Sequence, residues 1–294
     1  MTALGLHHAA LASADLEGQV AYYEEVIGLH ATMRVAGRVH LASRSGADAL
    51  VLSAATQTGL TGLGLRIAAD TDLTHLCRNL GTHGVQAEIA TDSHPGVTRS
   101  VAFTDPEGLR IELIAEDRIH AAAPSRGVAV LRLGHVAACV TDLPRAVAFY
   151  GDVFGLRISD WIGTHFAFMR CGHEHHTLNF VQSDRARMQH IAFEMQNAAA
   201  LTQSCDVLAE AGLNLLWGPV RHGPGHNIAT YHANTAGQII ELFAEMDVMS
   251  NEALGYYDPR PWHADRPQRP KVWAPRPPQS WGAMGPPDFL KLGV

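Results

Sequence analysis

The chain of 294 residues predicts an α+β protein of two tandem domains, each built from paired βαβββ modules. Three observations predict it. A segment near the start, LHHAALASADLEGQVAYYEEVIGLH, returns later as LGHVAACVTDLPRAVAFYGDVFGLR, pairing His8 with His135, Asp15 with Asp142, Tyr23 with Tyr150 and Gly28 with Gly155. A second match sets DPEGLRIELIAE against NTAGQIIELFAE and aligns Gly108 with Gly237 and Glu112 with Glu241. Each half reads as a strand, a helix and several strands, and then repeats that order once more.

The junction near AAAPSRG at residues 121–127 separates a domain at 1–122 from one at 128–250. In the second half Asp142 is a helix N-cap, Pro144 suits the first turn, and Gly155 ends the apolar spacing of Ala146, Phe149, Tyr150 and Val153. A further helix runs through ALTQSCDVLAEAG and stops at Gly212. The runs THFAFMR, HTLNFVQ and IATYHAN read as strands. Residues 251–294 form a Pro/Trp-rich tail, which from Gly255 onward holds nine of the fifteen prolines and three of the five tryptophans. That composition favours extended chain, and exposed indoles are costly, so the tail is expected to dock on the second domain or on a neighbouring subunit, over the active site.

Bulk properties describe a soluble chain. Hydrophobic residues make up 47%, enough to fill two cores, and a net charge of −7 gives no basic footprint for nucleic acid. No apolar run approaches the roughly 20 residues that span a bilayer. The start, MTALGLHHAA, lacks a secretory pattern. Cys77, Cys139, Cys171 and Cys205 form no CxxC pair and read as free thiols in a reducing cytoplasm.

Chemistry concentrates in three apolar runs of the second half: His135 in LGHVAACV, His190 in MQHIAFEM and Glu241 in QIIELFAEM. Alternation puts Leu133, His135 and Ala137 on one strand face, and likewise Met188, His190 and Ala192, and Ile239, Glu241 and Phe243. Two imidazoles and one carboxylate delivered to one point leave coordination positions open, the ligand arrangement of non-haem iron(II) oxygenases. Taken singly, each could be a core histidine or a capped glutamate. A carboxylate between Ile240 and Leu242 is harder to place that way, since burying it unpaired costs several kcal/mol.

These modules, the His135/His190/Glu241 set and the DPEG turn at 105–108 resemble the vicinal oxygen chelate superfamily. Within it, over about residues 4 to 260, the chain is similar to two-domain type I extradiol catechol dioxygenases. The stretch HEHHTLNF ahead of MQHIAFEM resembles a family segment in which the second histidine of the pair is catalytic, which implies that role for His176. In RHGPGHNIATY a histidine and a tyrosine stand nine positions apart, and the resemblance implies that His222 and Tyr231 contact substrate. It further implies extradiol cleavage of a catecholic ring by Fe(II) and O2 in aromatic catabolism, both oxygen atoms being incorporated, in a homo-oligomer. Mn(II) suits the same ligands. Trp161, Phe166, Phe168, Asn179 and Trp217 are candidates for the pocket wall, and His226 reads as a solvated loop histidine.

The first half has His8 and Glu112 at positions equivalent to His135 and Glu241, but its counterpart of MQHIAFEM reads GLGLRIAAD. With no histidine there, this domain is expected to be structural, without a complete metal site. Two other activities use the same scaffold: an O2-independent metal enzyme of the glyoxalase-like isomerase or epimerase kind, and a non-catalytic ligand-binding protein.

Overall fold

Strands and helices alternate through the chain as the repeat requires. A computed structural model describes residues 3–115, 119–258 and 268–294. The first sheet is built from β1 (Gly5–Ser13), α1 (Leu16–Ala21, continued by a wider turn at Tyr22–Ile27), β2 (His30–Val35), β3 (Arg38–Ala42) and β4 (Asp48–Ala54), then β5 (Gly59–Arg66), α2 (Leu73–Thr82), β6 (Glu88–His94), β7 (Val97–Thr104) and β8 (Arg110–Ile114). The second repeats the sequence with β9 (Arg132–Val140), α3 (Leu143–Phe154), β10 (Arg157–Ile162), β11 (Phe166–Arg170) and β12 (Leu178–Gln182), then β13 (Arg187–Glu194), α4 (Ala198–Glu210), β14 (Leu215–Arg221), β15 (Ile228–Ala233) and β16 (Ile239–Ala244). The lateral order β2-β3-β4-β1-β5-β8-β7-β6 recurs strand for strand as β10-β11-β12-β9-β13-β16-β15-β14. Four βαβββ modules result.

Local signals set the helix limits. Asp142 accepts the Arg145 N–H at 3.0 Å, and Gly155 closes α3 at φ 69°, a left-handed conformation that costs glycine little. Asn197 caps α4, and Gly212 at φ 73° lies just past its end. All four helices pack on one face of the sheets over one continuous core, in which Tyr23, Phe154 and Phe193 are fully buried. Each such side chain contributes about 2–3 kcal/mol.

Simple alternation fails at two strand positions, and both failures matter. On β13, Gln189 is an extra residue against β9, so Met188 turns into the helix-side core with Ile191 and Phe193 while His190 turns to the opposite face. On β9, Gly134 is the extra residue, and Leu133 likewise joins that core while His135 does not. Met188 and His190 therefore do not share a face, nor do Leu133 and His135, because a bulge flips the side-chain parity beyond it. Ile239, Glu241 and Phe243 keep the expected alternation. The first sheet carries the same two irregularities, at His7 on β1 and Thr61 on β5.

The halves hold each other reciprocally. Tyr150 of α3 donates to Asp105 in the DPEG turn of the first half at 2.8 Å. Gln19 of α1 accepts from Asn234 in the equivalent NTAG turn of the second half at 2.7 Å, and Tyr22 lies 2.6 Å from His232.

Three short strands follow: β17 (Met249–Asn251), β18 (Tyr256–Tyr257) and β19 (Lys271–Trp273). Of these, β19 adds to the second sheet alongside β10. The part of the tail at 259–267, with Trp262, lies outside the described residues. From 268 onward the tail packs on the second sheet, as the burial of Gln268 and Phe289 reflects. No helix among the described residues is long and apolar enough to cross a membrane, and all four cysteines are free.

Candidate metal centre

Three neighbouring strands deliver the donors. In register, His135 on β9 lies beside Ala192 on β13, and Ala192 beside Glu241 on β16. The bulge at Gln189 then aims His190 into the same point. Nε2 of His135 lies 3.0 Å from the Glu241 carboxylate, Nε2 of His190 lies 3.1 Å from it, and the two nitrogens are 3.3 Å apart. Exposure is 1% for His135, 5% for His190 and 1% for Glu241.

Burial alone would raise the Glu241 pKa, but the facing imidazoles of His135 and His190 outweigh it and hold the carboxyl well below its ordinary range. Burial lowers the pKa of His190 against the pull of Glu241. An ionised carboxylate is the form in which Glu241 would serve a divalent ion. The donor set fits a metal: a carboxylate at 1% exposure converges with two ring nitrogens, all within 4.8 Å of one another. Second contacts brace it. Asn227 donates to the free Glu241 oxygen at 3.0 Å, and Nδ1 of His190 is held by the Gln189 side-chain oxygen.

The other predicted residues surround this point. The His176 ring stands 4.3 Å from that of His135, centre to centre, and its Nδ1 lies 2.9 Å from Nδ1 of His175, whose Nε2 faces Asp160 at 3.0 Å. Burial, and then the imidazoles of His135 and His175, push His176 well below the usual histidine pKa. Across the site Nε2 of His222 lies 2.8 Å from Tyr231 Oη, and Nδ1 of His222 lies 3.0 Å from Gln279 in the tail. Burial, followed by the charge of Glu241, raises the Tyr231 pKa well above 10.

All six residues line one cavity of about 420 Å³. Phe166, Phe168, Asn179 and Trp217 line it too, whereas Trp161 packs against the helix-side core. The tail supplies one wall, from Pro275 to Leu290. His226 is not solvated: it is 7% exposed, with Nδ1 2.8 Å from Asp247. Asn227, Gln189 and Phe289 escaped the sequence reading. Asn227 sits in the quoted RHGPGHN loop, but nothing in a single polar loop residue marks a contact to a glutamate fourteen positions away.

The first half gathers a different set of residues. The residue in register where His190 would stand is Gly62, as GLGLRIAAD implies. A third donor nonetheless arrives from the edge strand: His94, at the end of β6, puts Nε2 2.6 Å from Glu112, with His8 Nε2 3.9 Å from the same oxygen. The donor atoms of His8, His94 and Glu112 lie within 4.8 Å of one another. The expectation of an incomplete set considered only the strand equivalent to β13, whereas His94 comes from the edge strand β6.

Residues 5–113 and 132–242 both match the model of the glyoxalase/bleomycin resistance protein/dioxygenase superfamily, and the chain belongs to that family. It is 25% identical over 262 residues to the metapyrocatechase of Pseudomonas sp. (strain CF600), covering 82% of this chain and 85% of that protein. The fold is shared with the 2,3-dioxygenase LapB from Pseudomonas sp. KL28, at a TM-score of 0.80 and 21% identity, over 94% of this chain and 99% of that one. It is shared equally with a Mn(II)-bound glyoxalase from Novosphingobium aromaticivorans, at 0.83 and 21%, over 98% and 94%.

Proposed function

We propose that this chain is an extradiol dioxygenase that opens a catecholic ring with O2, using Fe(II) held by His135, His190 and Glu241. The observation that carries the reading is the placing of two distinct proton-handling groups, His176 and the Tyr231–His222 pair, around one facial donor set inside one apolar cavity. A glyoxalase-type isomerisation has less use for both. Bound by these three residues, iron(II) would acidify a coordinated hydroxyl and keep positions open for both a diol and O2.

The protein's own groups do the rest. Phe166, Phe168, Trp217 and Phe289 give flat apolar walls that suit a planar ring and exclude water. Tyr231, kept protonated by burial, donates a hydrogen bond to the hydroxylate oxygen as the ring docks. Before the ring docks, the neutral His222, its Nδ1–H directed at the Gln279 oxygen, accepts that hydroxyl hydrogen on Nε2 at 2.8 Å, and the tyrosine turns it to the substrate oxygen on docking. His176, neutral at physiological pH, donates from a ring nitrogen where negative charge develops, and its Nδ1 contact to His175 sets its orientation. The ring then breaks beside the diol to give a semialdehyde-type product.

Mn(II) in place of iron is the second metal reading, because His and carboxylate donors accept both ions. The reducing cytoplasm is supported by four unpaired cysteines, and a homo-oligomer by the family resemblance alone. The test is O2 uptake by protein reconstituted anaerobically with Fe(II), across a panel of catechols. Uptake matched by a yellow ring-fission product and lost in Glu241→Ala is the expected result. No uptake with any diol, at full metal occupancy, would move the reading to an O2-independent enzyme.

A further inference from the structure

Buried histidines gather in the first half in numbers its structural role does not require. His7, His8, His40 and His94 are each at most 7% exposed, around Glu112 at 9%. The rings of His8 and His94 are 4.1 Å apart and those of His40 and His94 5.1 Å. Four imidazoles packed this closely around one carboxylate make a concentrated set of nitrogen donors.

The hydrogen-bond pattern around the set is that of ligands with a supporting shell. His8 and His94 both turn Nε2 toward Glu112, leaving each Nδ1 to a second histidine: His7 Nδ1 at 3.0 Å from His8, and His40 Nδ1 at 3.3 Å from His94. With Nε2 on a metal, a neutral imidazole must carry its proton on Nδ1. His8 then donates to His7, whose Nε2 lies 3.4 Å from the Asp48 carboxylate. The chain ends on a carboxylate that His120 also faces, at 3.1 Å. Each ligand ring thus has a neighbouring ring nitrogen facing its Nδ1, a contact that orients a metal-bound imidazole.

We propose that His8, His94 and Glu112 bind a divalent ion of the zinc class, and that this second site is structural. The strand that brings His94 explains what the ion does. Along β6 most side chains are exposed, and His94 at its end is the one fully buried residue. An edge strand with so little apolar anchorage gains a fixed position when its last residue is tied to β1 and β8 through a metal. The groups that serve chemistry in the second half are replaced here. Ala102 stands beside Glu112 where Tyr231 stands beside Glu241, Asp48 occupies the register position of His176, and His40 that of Phe168.

Metal content of the full chain separates the two sites, whatever the ring chemistry proves to be. Apo protein titrated with Co(II), followed by its visible d–d absorption and by mass-spectrometric metal analysis, should take two equivalents. Glu241→Ala should take one and Glu241→Ala with His94→Gln none. A Glu241→Ala protein that binds no Co(II) would overturn the proposal, as would one equivalent retained when His94→Gln is added. Should the double variant fail to fold, the parent decides alone: one equivalent in total refutes the second site. In the parent, chelation of that site should also speed hydrogen exchange along residues 88–97, and unchanged exchange counts against a structural role.

Discussion

The two halves carry the same pair of donors on the same pair of strands, His8 and Glu112 in one and His135 and Glu241 in the other, and complete the set differently. The second half adds His190 from β13, next to β9 in the middle of its sheet; the first has Gly62 there and reaches His94 on the outermost strand instead. Around the second set stand Tyr231, His176 and a cavity, whereas around the first stand Ala102, Asp48 and further histidines that fill the space. The difference separates holding a metal from using one. Donor geometry is easily regenerated by any strand that passes nearby, but proton donors and an open volume must be kept together.

The sharpest way to break this comparison is to delete the shared carboxylate on each side. Glu241→Ala should abolish ring cleavage, by at least about 10³-fold in kcat/KM, through loss of the metal, while Glu112→Ala should leave turnover within about twofold and lower the melting temperature. Steady-state kinetics beside thermal melts would decide it, and a Glu112 variant as inactive as the Glu241 variant would make the first half part of the catalytic unit. Next in size, His176→Phe should retain metal at Glu241 and lose about 10²–10³-fold in kcat, the usual weight of a positioned acid or base. Equal losses of metal and rate would instead make His176 a fourth donor. Tyr231→Phe should cost about tenfold in kcat/KM, as removal of a single hydrogen bond to a charged oxygen does; an unchanged value would take the tyrosine out of substrate binding.

A last expected effect, on stability and not on turnover, falls on the seam between the halves. Burial pushes His232, 2.6 Å from Tyr22, down to a pKa of about 4 against an ordinary value of 6.5. The unfolded chain therefore takes up this proton first as pH falls. The contribution is intact above about pH 6.5 and drains away down to about pH 4, reaching about 3 kcal/mol. His232→Gln should flatten the denaturation profile across that window. A variant with the parent's acid slope would place the loss elsewhere, His40 being the first alternative, since its pKa is also lowered to about 4.

Much of this was legible because it was written twice. The Asp15/Asp142 caps, the Gly28/Gly155 stops and the His–Glu pairs lie at matched positions, and repetition separates such signals from chance. The donors of the second half could be read because each interrupts an apolar strand. His94 could not, since β6 is polar and exposed and its histidine stands among other polar residues. The bulges at Gly134 and Gln189 were hidden for another reason: a parity change is a property of two paired strands, and neither sequence alone reveals it. The expectation that the tail docks over the site came from composition, yet which of its residues face the cavity depends on where β19 and the turn at Trp281 attach to the sheet.

That attachment bears on how the protein could change. The metal donors are embedded in strands whose every neighbour is packed, while one wall of the cavity, from Pro275 to Leu290, belongs to a segment tethered to the sheet at a few points such as β19 and Trp281. Substitutions from Pro275 to Pro287 can alter the width and polarity of the chamber without touching His135, His190 or Glu241, whereas Phe289 is tied to His190 through Gln189. The breadth of rings admitted and the reaction performed on them are thus inherited from separate stretches of chain, and one can drift while the other stays fixed.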